Sequence, residues 1–176
     1  MLRAAFLRGI NVGRVRVPMA ELRDLFGSLG LQGAATILNT GNVVFDSALA
    51  EADLRAMLEP ALSRRFDYDA RVFVLELAEV ESAARLYPFE SLDGFQRYAL
   101  ICDEARSADD LLAAADEPRG EERVTASGRF VFWRVERGRT TDAPFSKLIA
   151  SKRFGPHVTN RNLNTLERIA ASRRTS

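Results

Sequence analysis

Short apolar stretches separated by turn residues divide the chain into a regular series of strands and helices. Residues 2–8 are strand-like, and Pro18 stands where a helix would begin, because apolar residues then recur at helical spacing up to Gly30. The same criteria predict strands at 34–39 and 42–46 around a turn at Thr40-Gly41, a helix at 50–66 and a strand at 71–77. The first half therefore has the predicted order β-α-β-β-α-β.

Nearly the same order recurs in the second half, after a short helix near 78–86 and a loop from Pro88 to Gly94. The predicted elements are a strand at 96–102, a helix at 107–116, a hairpin of 122–127 and 129–136, a helix from Pro144 to about 152 and a helix at 161–172. We expect Ser107 to cap the 107–116 helix and Pro60 to kink or divide the 50–66 helix. The last element is thus predicted as a helix where the first half has a strand.

This order predicts an α+β protein made of two ferredoxin-like halves, with mainly antiparallel sheets and a C-terminal helix. The expected organisation is one compact unit with a first half at 1–77, a connecting helix and loop at 78–95, a second half at 96–155 and a C-terminal motif and helix at 156–176. In a sheet of order 4-1-3-2, the end of strand one and the turn between strands two and three lie at the same sheet end. Asn11 and Asn42 are therefore expected to be neighbours.

The composition is typical of a globular protein, with 47% hydrophobic and 28% charged residues. The single cysteine, Cys102, excludes a disulfide framework and a cysteine-based zinc site, and the single histidine, His157, argues against a transition-metal site. Cys102 ends an apolar strand and is expected to be buried, whereas His157 is expected in an exposed loop. We expect no membrane segment, because no apolar run approaches the ~20 residues that span a bilayer, and we expect a cytoplasmic protein. No metal and no cofactor are expected.

Charge is unevenly distributed although the net charge is only +1. Residues 1–20 carry four arginines and no acid, and residues 129–176 carry nine arginines, two lysines and three acids. Residues 103–123 carry eight acids and three arginines. Two basic ends around an acidic segment can create a local positive field, and the alternative is an ordinary solvated surface.

Three segments contain all six asparagines of the chain. In the first, residues 7–14, two glycines let the backbone approach a ligand, and Arg8 and Arg14 on either side predict an anion cradle. The alternative is a glycine-containing turn with exposed arginines. The second and third segments, 39–45 and 159–165, have structural alternatives too: a plain hairpin turn, and helix caps formed by Thr159 or Asn160 or by Asn164 with Glu167.

These segments resemble the motifs of an uncharacterised bacterial family of unknown function, LRGINVGG, SGNVVF and TxRNWNT. Here they are LRGINVGR (7–14), TGNVVF (40–45) and TNRNLNT (159–165), with departures at Arg14, Thr40 and Leu163. The resemblance covers the whole chain and implies a fold and the location of a site. It implies no biochemical activity.

The leading hypothesis is a binding protein for a phosphate-bearing ligand, either a nucleotide or a nucleic acid. One alternative is an enzyme acting on a small anionic substrate, although the sequence shows no evident nucleophile or base. The other is a structural or interaction module whose motifs form turns and caps. The oligomeric state stays open. The predicted ligand-binding residues are Arg8, Gly9, Asn11, Gly13, Arg14, Asn42, Arg161, Asn162 and Asn164.

Overall fold

The structure, a computed structural model, describes residues 1–11 and 13–172. Val12 and residues 173–176, the end of the predicted C-terminal segment, lie outside the described residues. The first half contains β1 (Leu2–Arg8), α1 (Met19–Ser28), β2 (Gln32–Ile37), β3 (Asn42–Asp46), α2 (Glu51–Phe66) and β4 (Arg71–Glu76). After α3 (Leu77–Arg85) come β5 (Phe95–Cys102), α4 (Ala105–Ala113), β6 (Arg123–Ser127), β7 (Phe130–Glu136), α5 (Pro144–Ile149), β8 (Val158–Asn162) and α6 (Leu163–Ala171).

The strands form two four-stranded antiparallel sheets, of order β2-β3-β1-β4 and β6-β7-β5-β8. The two orders are the same when each half is counted from its own first strand, and they match the predicted order 4-1-3-2. The prediction of an α+β protein with two similarly ordered halves, antiparallel sheets and a C-terminal helix is therefore confirmed.

The chain divides into two compact units, and each has its own core. Met1–Ser82 and residues 167–172 belong to the first unit, and Ala83–Leu166 form the second. In the first, the rings of Phe26 and Phe45 meet edge to face with centroids 5.3 Å apart, and both side chains are fully buried. In the second, Trp133 is fully buried against Phe145, also at 5.3 Å. Within residues 1–11 and 13–172, the helices are too short or too polar to cross a membrane.

The prediction of a helix over 161–172 is wrong at its start, because β8 occupies Val158–Asn162 and α6 begins only at Leu163. β8 pairs with β5, with Cys102 opposite Val158 and Tyr98 opposite Asn162. The strand has almost no apolar alternation, since only its first two residues are buried. Pairing with a central strand, rather than intrinsic preference, therefore determines its conformation.

Local predictions around the helix ends need further correction. α4 begins at Ala105, so Ser107 lies inside the helix, where its hydroxyl donates to Asp103 Oδ1 at 2.6 Å and does not cap. Pro60 does not divide α2, which runs unbroken from Glu51 to Phe66. A proline removes only one backbone donor, and α2 is held to the core of the first unit by Leu54, Leu58 and Leu62, which are fully buried.

Candidate functional site

The segment between β1 and α1, residues 9–14, is called the glycine loop below. Gly9, Asn11 and Gly13 have φ angles of 75°, 55° and 57°, a left-handed conformation that glycine and asparagine tolerate best. These three residues are exposed. The backbone N–H groups of residues 9–11 and 13–16 donate no hydrogen bond to any described residue. The loop therefore contains several backbone donors without a partner among the described residues, and of these residues only Ile10 is buried.

The turn of residues 38–41, which joins β2 to β3, packs directly against the glycine loop. Asn11 Nδ2 donates to the carbonyl oxygen of Asn39 at 3.1 Å, and Leu7 N–H donates to the carbonyl oxygen of Gly41 at 2.8 Å. Asn11 Oδ1 accepts the N–H of Val17 at 3.2 Å and so closes the far end of the loop. The expected proximity of these two segments is therefore present.

The asparagines of this sheet end shape the backbone. Asn42 is 1% exposed, and its Nδ2 donates to the carbonyl oxygen of Ile37 at 3.0 Å and to Thr40 Oγ1 at 2.8 Å. Asn11 uses both ends of its amide to join the loop to the turn and to Val17. Both side chains therefore help to hold the loop and the turn in place. Their contact with a ligand stays a prediction.

Two arginines beside the loop have no partner among the described residues. Arg8, at the end of β1, is half-buried, and Arg14 is exposed; the side chain of neither makes a hydrogen bond or an ion pair with a described residue. Arg8 stands directly opposite Arg71 in the β1–β4 pair. Arg71 Nη1 lies 3.9 Å from Glu59 Oε2, at the limit of an ion pair. Like charges on facing strand positions repel, so an anion at this sheet end would be stabilising.

The third predicted segment lies on β8 and the start of α6, in the second unit. Arg161 Nη1 donates to Thr159 Oγ1 at 2.9 Å and to the carbonyl oxygen of Asn160 at 2.8 Å. Burial lowers the pKa of Arg161 to about 10, which leaves it protonated at neutral pH. Asn162 Oδ1 accepts the N–H of Asn164 at 3.0 Å and caps α6, so the predicted caps at Thr159, Asn160 and Asn164 are wrong. Convergence of this segment with the glycine loop stays a prediction.

A family model described as "Protein of unknown function (DUF1697)" matches residues 1–132 of the 176-residue chain. The chain belongs to the DUF1697 family. A solved structure, that of the conserved bacterial protein SP0830 from Streptococcus pneumoniae, is similar to this DUF1697 chain with a TM-score of 0.77 and 26% sequence identity, over 96% of each chain. No curated protein matches it. The DUF1697 match includes the glycine loop and the 38–41 turn, and it ends before the third segment.

This DUF1697 chain has a second polar cluster at the end of β5, which the sequence did not predict. His157 Nδ1 lies 2.6 Å from Asp103 Oδ2, and Asp103 Oδ1 accepts hydrogen bonds from Ser107 Oγ at 2.6 Å and Glu104 N–H at 3.0 Å. Burial raises the pKa of Asp103, but the hydrogen bonds from Ser107 and His157 and the histidine charge outweigh it, so the net pKa lies below its ordinary value. An ionised carboxylate only accepts, so His157 Nδ1 carries the proton.

Nε2 of His157 is the atom of this cluster that is available for proton transfer. His157 Nε2 has no partner among the described residues, and the side chain is 52% exposed, as expected for a loop histidine. A histidine oriented by a carboxylate can accept a proton at Nε2. The Asp103–His157 pair was not predicted from the sequence, because β8 was not predicted. Treating 158–162 as the counterpart of β4, paired with β5, would have brought His157 beside Asp103.

Proposed function

We propose that the glycine loop binds the phosphate group of a small anionic ligand. The observation that carries the proposal is the combination of free backbone N–H groups in residues 9–11 and 13–16 with two unpaired arginines, Arg8 and Arg14. Left-handed residues in a loop turn successive N–H groups outward, which is a common way for backbone to hold phosphate oxygens. The arginines would add charge-assisted hydrogen bonds.

A nucleotide or another small phosphate ester fits this proposal better than a nucleic acid. Base stacking on a sheet needs exposed aromatic side chains. The aromatic residues of β7, which are Phe130, Phe132 and Trp133, are at most 7% exposed. The loop itself is only six residues long, so a compact ligand is the simpler occupant.

Arg161, which lies in the second unit with Asn162 and Asn164, is kept as a predicted anion-binding cation. If it binds an anion, Arg161→Ala should remove most of the stabilisation that the anion provides and leave the ligand-free protein folded. Equal destabilisation with and without the ligand would instead make Arg161 a structural residue.

The test is a thermal-unfolding titration at low salt with inorganic phosphate, pyrophosphate and adenosine nucleotides. Binding to the native state raises the midpoint. Arg8→Ala and Arg14→Ala should each weaken binding about tenfold, because a hydrogen bond to a charged group contributes roughly 1.5–3 kcal/mol. Arg55→Ala is the matched control, since Arg55 is partly exposed in the same unit and only weakly paired with Glu51 at 3.9 Å. No shift with any of these anions would overturn the proposal.

An enzyme acting on a small anionic ester is a second candidate, favoured by the Asp103–His157 pair. His157 Nε2 would take a proton from the water that attacks the ester, and hydrolysis would release an acid and an alcohol. The test is a panel of phosphate and carboxylate esters assayed between pH 5 and 8. We expect turnover in the wild type that is lost in His157→Gln. Equal rates in wild type and His157→Gln would overturn this candidate.

A further inference from the structure

The second unit contains a cleft that the glycine-loop proposal does not use. It has a volume of about 820 Å³ and lies between the chain of residues 116–122 and the turn of residues 139–145. Small-molecule sites typically have volumes of roughly 300–1,000 Å³. The cleft is therefore large enough to hold an organic molecule.

The floor of this cleft is apolar. Phe95 and Val124 are partly exposed, and Val135 and Phe145, which also line the cleft, are buried at 2% and 5% exposure. Such a surface can take the hydrocarbon part of a ligand, since removing apolar surface from water contributes about 25 cal/mol per Å². The floor alone does not select a ligand.

The charged side chains at the rim of the cleft would determine which ligands it binds. Six carboxylates and two arginines line the cleft. Glu121 and Glu136 have arginine partners, and Glu122 accepts the indole N–H of Trp133 at 2.8 Å. The side chains of Asp116, Glu117 and Asp142 make no hydrogen bond or ion pair with any described residue. The side chain of Arg119 has no such partner either, so the net charge of the unpaired lining side chains is negative, with acids from both segments.

One wall is held in place before any ligand binds. Arg134, which is 6% exposed, donates from Nε and Nη2 to the carbonyl oxygen of Glu121 at 3.1 and 3.0 Å. The Trp133–Glu122 hydrogen bond fixes the next residue. Pre-organisation of this kind lowers the entropy cost of binding.

We propose that this cleft binds an organic cation, an amine whose apolar body lies on Phe95 and Val124 and whose ammonium group faces Asp116, Glu117 and Asp142. Charge complementarity identifies the class, because an apolar floor under unpaired carboxylates favours a positive head on a hydrocarbon body and disfavours an anion. The proposal is independent of the glycine loop and gives a role to the acidic part of the chain.

The experiment uses the full chain and three probes, followed by amide chemical shifts and calorimetry at low salt. 2-Phenylethylamine should bind saturably and shift the amides of Phe95, Gly120 and Val124. Phenylacetate, which has the same ring with a negative group, and ammonium, which lacks the ring, should not. Binding of phenylacetate as tight as that of the amine, or no saturable binding of the amine, would overturn the proposal.

Two variants with surface substitutions test whether the amine binds at the acidic residues of the cleft. Glu117→Gln and Asp142→Asn should each weaken amine binding about fivefold, in line with the ~1 kcal/mol of an exposed ion pair. Asp109→Asn makes the same charge change at an exposed site on α4 and should leave the affinity unchanged. All three positions are exposed, so folding should be retained. Equal affinity in all variants and wild type would also overturn the proposal.

Discussion

Gly41 lies where the 38–41 turn comes closest to the glycine loop. Its φ angle is 72°, and a Cβ atom at this position would lie 2.5 Å from Ile10 Cδ1 and 3.1 Å from Leu7 Cβ. Gly41→Ala is therefore expected to lower the free energy of unfolding by about 2–3 kcal/mol, from backbone strain plus overpacking. Urea denaturation measures the change.

Gly33→Ala is the matched control for this prediction. Gly33 has a similar φ angle of 63°, but a Cβ there would meet nothing within 4 Å. The control should lose only about 1 kcal/mol, the cost of the backbone conformation alone. Equal losses in the two variants would mean that the contact between turn and loop contributes nothing.

The Asp103–His157 pair predicts how stability depends on pH. The lowered pKa of Asp103 means that the folded protein binds this proton less tightly than the unfolded chain, whose Asp pKa is about 3.9. The contribution is thus present above about pH 4 and is lost as the pH falls through the folded-state pKa. Asp103→Asn should lower the free energy of unfolding by about 1–2 kcal/mol at pH 7, and the difference should shrink toward pH 3.

Urea unfolding of both proteins at pH 7, 5, 4 and 3 checks this expectation. Asp109→Asn serves as the reference for an exposed aspartate without a partner, and its difference from wild type should stay near zero throughout. A difference for Asp103→Asn that is as large at pH 3 as at pH 7 would contradict the assignment of the stabilisation to the ionised carboxylate.

Among the elements, α6 depends on a single side chain for its start. Asn162 Oδ1 accepts the N–H of Asn164, and α6 buries Leu163, Leu166 and Ile169 to 1% exposure or less. Asn162→Ala should cost about 1 kcal/mol, whereas Asn162→Asp should retain the cap. Thermal or urea unfolding separates the two variants. An alanine variant as stable as wild type would show that packing alone determines where the helix begins.

Strands with consecutive apolar residues could be predicted from the sequence, and β8 could not. β1, β3 and β7 contain long apolar runs, so their burial is readable from residue type alone. β8 reads Val-Thr-Asn-Arg-Asn, and its conformation comes from the ladder with β5, a contact between residues about 60 positions apart. Because β8 was not predicted, the proximity of His157 to Asp103 was not predicted either.

At the scale of the whole molecule, the order of strands in each sheet predicts where the backbone is most protected. β1 lies between β3 and β4, and β5 lies between β7 and β8, whereas β2 and β6 are edge strands. Amide hydrogen exchange should therefore be slower in β1 and β5 than in β2 and β6 by more than about a hundredfold. Mass spectrometry of peptides covering these strands measures the rates. Faster exchange in β1 than in β2 would contradict the topology.

The site was predictable only where topology determined it. The order 4-1-3-2 follows from the rules for connecting strands, and it placed the glycine loop beside the 38–41 turn. The hydrogen bonds of individual side chains could not be predicted from topology, because Asn42 and Asn11 bond to nearby backbone groups whose positions depend on the folded turn. The cleft in the second unit depends on how Arg134 folds residues 116–122 back, which charge counting along the chain does not reveal.

Cys102 ends β5 at 1% exposure, as its place in an apolar strand predicted, and it is the only cysteine of the chain. Burial, with a smaller effect from Asp103, raises the pKa of its thiol to about 12, so the reactive thiolate is scarce at neutral pH. A maleimide dye should therefore leave the natural protein unlabelled and attach once to Thr40→Cys, where the exposed turn adjoins the glycine loop. The fluorescence of that single dye would then report the arrival of an anion without any change to the native cysteine.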